Sequence, residues 1–171
     1  MKISGFYWVD IKNCRAIRGN NLLCPINRLL PILYIDIMSS IPHQHSIAIE
    51  PSDIDFMGHV NNANYLTWVQ DAVVAHWQKF APSEAVAAHL WVAIKHEITY
   101  RKPAFLEDDV IAEVLLEKVH GARAFYSTVI RRGEEVLAEV QSSWCCIDAD
   151  TLRPTRLAKD IVARFLGNKD S

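Results

Sequence analysis

Between Asp53 and Asp71 the chain reads DIDFMGHVNNANYLTWVQD, with two carboxylates, a Gly-His pair and a run of asparagines directly ahead of an aromatic-rich segment. Each residue type has a structural use. Asp53, after Pro51 and Ser52, suits a turn or a cap. Asn61 or Asn62 is the expected N-cap of the helix that follows, and Gly58 fits a position of positive φ or of close backbone approach. The chemical use lies in the combination. Asp55 is a carboxylate able to act as nucleophile or general base, and His59 can orient it or contact a ligand. A helix start behind them presents unpaired N–H groups at the positive end of the macrodipole. Taken singly, Asp55 would read as another turn residue; the G-H-V-N-N that follows marks it as a reactant.

The elements that must position these residues are legible in the periodicities. His45 to Glu50 (HSIAIE) alternates as a half-buried strand, which Pro51-Ser52-Asp53 breaks. From about Asn62, the positions Tyr65, Trp68, Val69, Ala72, Val73, His76, Trp77 and Phe80 recur at helical spacing and predict one long helix ending near Ala81, ahead of Pro82. After a short polar connection, Trp91 to Arg101 alternates with Val92, Ile94, His96, Ile98 and Tyr100 expected on one face. Val110 to Glu117, Ala124 to Arg132 and Val136 to Ile147 follow as strands, joined by tight turns at Gly121 and Gly133 and therefore antiparallel. A short helix, Ala158 to Phe165, closes the pattern, with Gly167 placed to stop it. One long apolar helix and one antiparallel sheet bury each other best when the sheet curls around the helix. The expected class is α+β.

A chain of 171 residues with half its residues apolar and a net charge of −2 supports one core. Its scattered Lys and Arg give no footprint for nucleic acid. The run Leu29 to Met38 is too short and too interrupted for a membrane span. The four cysteines, Cys14, Cys24, Cys145 and Cys146, form no C-x-x-C pair and read as reduced thiols of a cytoplasmic protein. His43 and His45 lie on one strand face but lack a carboxylate or cysteine partner, so no metal is expected. Residues 1–37 have no sustained period and read as an N-terminal extension of unclear role, separate from a single domain of residues 38–171.

The string D-x-D-F-M-G-H-V-N-N-x-x-Y-L-x-W, followed by Glu97-Ile98-x-Tyr100-x-x-Pro103 and Asp108-Asp109-Val110, resembles the hotdog-fold thioesterases. Within them it is most similar to the 4-hydroxybenzoyl-CoA thioesterase-like and acyl-CoA thioesterase group. The resemblance runs from about His45 to Ile147. It implies a hotdog fold, hydrolysis of the thioester of acyl-CoA or acyl carrier protein, and an active site between subunits of a homodimer or homotetramer. It also implies that no cofactor is needed beyond the CoA of the substrate. Asp55 falls at the family's catalytic aspartate, and Asn62 where the family uses a backbone N–H at the helix start. Gly58 and His59 complete the catalytic loop. Tyr65 and Trp68 match positions that pack the helix on the sheet. Gln70 stands near where many relatives have a glutamate, which leaves Asp71 as the nearby carboxylate, and Met57 stands where plant acyl carrier protein thioesterases have an asparagine.

A thioester suits this set of residues. Its thiol, with a pKa of about 8.5, departs as thiolate without a strong acid, and the helix-start N–H groups can hold the oxyanion. Asn61, Tyr65, Gln70, Arg101, Lys102 and Arg123 are the candidates for substrate contact, the basic ones facing CoA phosphates. Trp77, Phe80 and Trp91 fit either an acyl pocket or the core. Two alternatives remain open: a non-catalytic module that binds acyl-CoA, and an enoyl-CoA hydratase, whose D-x-N-P-x-H string is missing from this sequence.

Overall fold

The structure, a computed structural model, describes residues 42–166; the proposed extension and Gly167, the predicted stop, lie outside them. Strand β1 (His43–Ile47) leads through a single 3-10 turn, Pro51–Asp53, and the motif loop into helix α1 (Asn62–Phe80). A short helix α2 (Ser83–Ala88) precedes strands β2 (His89–Tyr100), β3 (Val110–His120), β4 (Arg123–Arg132) and β5 (Glu135–Asp148), and helix α3 (Lys159–Phe165) follows. The five strands form one antiparallel sheet in the order β1-β3-β4-β5-β2. The β3-β4-β5 meander is the pair of hairpins expected from Gly121 and Gly133, both of which have positive φ. Because β1 and β2 lie on opposite edges, α1 connects one edge to the other and packs against the sheet between them. This is the hotdog arrangement that the resemblance implied.

Helix α1 buries Tyr65, Trp68, Val69, Ala72, Val73, His76 and Trp77, the face its sequence spacing requires. Full burial of side chains such as Val69 and Val73 contributes roughly 1.5–3 kcal/mol each on leaving water. Phe80, expected on the same face, is only partly covered; its ring lies 4.9 Å from that of His76 and 5.9 Å from that of His43. Beneath the helix the sheet supplies Trp144, Tyr126, Ile130, Val114 and Val140, all essentially inaccessible.

One expectation fails on β2. The register slips between Ala93 and Lys95, so Ile94 is a bulge residue. A bulge shifts the alternation by one residue. Ala93 pairs with the buried Trp144 and His96 with the buried Ser142, while Val92 and Ile94, expected on the same face as His96, point outward. Helix α2 also occupies what reads as a plain connection.

Burial of His76 has a consequence for stability. Its Nδ1 lies 3.2 Å from the Tyr126 hydroxyl inside an aromatic cage with Phe165, and burial pushes its pKa down to about 4. Unfolded, the group titrates near its ordinary value of about 6.5. As pH falls from about 6.5 toward 4 the unfolded chain therefore takes up a proton that the native chain refuses. The lost stability is about 3 kcal/mol. Burial lowers the pKa of His43 and His96 as well, which adds in the same direction. Urea unfolding at pH 7.5 and 4.5 should show a smaller loss for His76→Gln than for the native protein; equal losses would contradict a neutral buried imidazole.

Candidate active site

The motif loop is tied together by its own backbone. Asp55 N–H donates to the His59 carbonyl at 2.9 Å, Gly58 N–H to the Asp55 carbonyl at 3.0 Å, and Val60 N–H to the Ala104 carbonyl at 2.9 Å. Gly58 has φ 82°, a left-handed conformation that a side chain would strain. The side chain of Asp53 is structural: one oxygen accepts from Glu50 N–H and the other from the Asn64 amide, while its carbonyl accepts from Asn61 N–H. Asp53 is thus the turn and cap residue that its setting suggested.

Asp55 is placed differently. Its side chain is 12% accessible; Oδ1 accepts from Met57 N–H at 2.8 Å, and Oδ2 lies 3.8 Å from His59 Nδ1. The same His59 nitrogen is 3.2 Å from the Val60 carbonyl. One carboxylate oxygen is therefore fixed by backbone, and the other faces an imidazole. Two residues past His59, Asn61 caps α1 through Oδ1, which accepts from Ala63 N–H at 2.9 Å, a contact worth about 1 kcal/mol. Asn64 N–H is taken by the Asn61 carbonyl. Among the described residues, Asn62 N–H meets no acceptor.

The helix start is braced from the sheet. Tyr100 Oη donates to the Asn62 carbonyl at 2.8 Å, and Ala104 N–H donates to Tyr65 Oη at 3.0 Å. Tyr65 is buried with its hydroxyl committed, so it fixes the Ala104 loop, and through Val60 the motif loop, from inside the core.

A family model for the thioesterase-like superfamily matches residues 49–165. The chain belongs to this superfamily. It is 29% identical over 125 residues to the long-chain acyl-CoA thioesterase FadM of Escherichia coli K12, a match that covers 69% of this chain and 92% of that protein. Among solved structures, the probable thioesterase YbaW of E. coli superposes with a TM-score of 0.60 at 25% identity, covering 74% of this chain and 98% of its own. A thioesterase of Thermus thermophilus, solved with coenzyme A and Zn, gives a TM-score of 0.62 at 23% identity over 71% of this chain and 95% of its own. That likeness shows a shared fold. Among the described residues, no group of three or more His, Cys, Asp or Glu side chains is arranged to hold a metal ion.

Superfamily membership and the likeness to a named thioesterase support thioester hydrolysis as the chemistry of this chain. Asp55, Gly58, His59, Asn61 and Asn62 come together in one loop and helix start, and Tyr65 supports them from below. Gln70 lies two turns further along α1 on its exposed side, beside Asp71. Arg101 and Lys102 sit at the end of β2 next to Tyr100, but both are paired, Arg101 with Glu139 and Lys102 with Glu135. A phosphate reaching them competes with those carboxylates. Arg123 is not brought there: through Cys145 it stands level with Val92, roughly 25 Å along the sheet from Tyr100. Trp77 belongs to the core and Trp91 packs against its ring at 5.6 Å. The bracing role of Tyr100 is absent from the sequence pattern, since a strand-end tyrosine does not reveal that its hydroxyl reaches a helix start.

Proposed function

We propose that this chain is an acyl-CoA thioesterase that hydrolyses its substrate to free acid and CoA, with Asp55 as nucleophile or general base and the Asn62 amide as oxyanion donor. The observation that carries the reading is the half-immobilised, largely desolvated Asp55 carboxylate on the loop that runs directly into a helix whose Asn62 N–H has no acceptor among the described residues. In the covalent route an Asp55 oxygen attacks the thioester carbonyl carbon, the C–S bond breaks, and CoA leaves as thiolate. Water then cleaves the mixed anhydride, releasing the acid and restoring Asp55. In the base route Asp55 takes a proton from water as the oxygen adds, and the proton passes to the departing thiolate. Either way the carbonyl oxygen gains charge that the helix-start amide can meet.

The reading includes a homodimer formed through β2. This edge strand is twelve residues long and carries Leu90, Val92 and Ile94 exposed on its outer side; such an edge is a template for pairing with a second copy. Acyl carrier protein presents the same pantetheine arm as CoA and is the alternative carrier. The test is free-thiol release from acetyl-, octanoyl-, palmitoyl- and benzoyl-CoA. Release from at least one is expected; tight binding of one with no release from any would make the protein an acyl-CoA-binding module instead.

A further inference from the structure

Tyr100 closes strand β2 within the string Glu97-Ile98-x-Tyr100-x-x-Pro103, and no step of the proposed reaction uses its hydroxyl. Among the described residues that hydroxyl makes one hydrogen bond, donated to the Asn62 carbonyl at 2.8 Å. Two peptide planes meet at Asn62. The first carries the Asn61 carbonyl and the Asn62 N–H, the second the Asn62 carbonyl and the Ala63 N–H. The Asn61 carbonyl accepts from Asn64 N–H at 3.0 Å, and Ala63 N–H donates to Asn61 Oδ1 at 2.9 Å. With Tyr100 on the Asn62 carbonyl, three of the four polar groups are held. The fourth, Asn62 N–H, meets no acceptor among the described residues. Two of the three bonds are local to the cap; the bond from Tyr100 is the one that reaches these planes from the sheet.

Tyr100 is itself fixed in place. It pairs with the buried Ala138 on β5, and the next two amides, Arg101 N–H and Lys102 N–H, both donate to the Leu137 carbonyl, at 2.8 and 3.1 Å. Its ring stands edge-on to that of the buried Tyr65, with centroids 5.3 Å apart. Burial raises its pKa above the ordinary value near 10, so the hydroxyl keeps its proton and remains a donor around neutral pH. The side chain is 39% exposed. A phenylalanine would pack edge-on to Tyr65 equally well, so what the tyrosine adds is the bond to Asn62.

We propose that Tyr100 is a positioning residue for hydrolysis: by holding the Asn62 carbonyl it fixes the direction of Asn62 N–H, the oxyanion donor. This rests on the thioesterase reading above. An oxyanion donor works because it is oriented before the carbonyl oxygen gains charge, and its orientation matters little to the uncharged ground state. Loosening it therefore lowers kcat and leaves KM nearly unchanged. Removing such a donor outright costs about 10²–10³ in rate, so one that stays but is less well held should cost about tenfold.

The experiment compares the native protein with Tyr100→Phe on acetyl-, octanoyl-, palmitoyl- and benzoyl-CoA, with a nitrogen-15 amide spectrum of each protein in which Asn62 is assigned. The variant should lose about tenfold in kcat with KM within about twofold, and its amide shifts should be confined to the helix start. A variant that keeps the native kcat and KM overturns the proposal. A raised KM with kcat unchanged gives the hydroxyl to substrate binding and overturns it too, as does a lowered kcat with amide shifts spread over every strand, which assigns the loss to the fold. If the native protein releases no thiol from any of the four, the hydrolytic reading fails and the spectrum decides alone: a shift confined to the helix start leaves Tyr100 as the group that orients this amide, and an unmoved Asn62 signal removes that role.

Discussion

Asp55→Asn is expected to lower kcat for thioester hydrolysis by two or more orders of magnitude while leaving folding intact. The substitution keeps the volume and the acceptor oxygen that receives Met57 N–H, so the turn retains its internal bond. What it removes is the negative oxygen facing His59, 3.8 Å from the ring nitrogen. An amide can neither form the anhydride nor take a proton from water, so both routes stop at the same atom. Loss of a group that acts only in the transition state should lower kcat and kcat/KM together, with KM little changed. Steady-state kinetics with palmitoyl-CoA, beside a thermal melt of each protein, would separate this from misfolding. Activity indifferent to the change would place the chemistry elsewhere.

The second large effect concerns the β2 edge. Val92 and Ile94 are 45% and 51% exposed, and the bulge at Ile94 is what turns this part of the strand's apolar content outward. Lysine at an edge opposes strand pairing through charge repulsion and hydration. Val92→Lys/Ile94→Lys should therefore sediment as a monomer where the native protein sediments as a dimer. Because the site is proposed to lie between subunits, kcat/KM should fall at least tenfold. Circular dichroism should be unchanged, since neither side chain belongs to the core. A native protein that sediments as a monomer, or a monomeric variant with full activity, would remove the shared site from the account.

How much of this was legible in the sequence depends on the range of the forces involved. Helix α1 was readable because its buried face is set by local spacing, and the β3-β4-β5 meander because Gly121 and Gly133 fix tight turns. The inward and outward sides of β2 were not, because a bulge at Ile94 is decided by pairing with β5, and no local pattern announces it. The motif loop was legible as a sequence, yet the division of labour inside it was fixed by tertiary contacts. Asp53 spends both carboxylate oxygens on Glu50 and Asn64, whereas Asp55 keeps one oxygen turned toward an imidazole. Long-range placement was least accessible: Arg101, Lys102 and Arg123 are alike as strand-end cations, but the sheet carries Arg123 to the far end, and Glu139 and Glu135 occupy the other two.

The measurement that bears most directly on the central claim is multiple-turnover incubation with palmitoyl-CoA in oxygen-18 water, following CoA by thiol titration and the acid by mass spectrometry. The native protein should release CoA and oxygen-18-labelled palmitic acid in equal amounts, and Asp55→Asn neither above the solvent blank. Equal CoA release by both proteins, or CoA release without labelled acid, would contradict hydrolysis at Asp55.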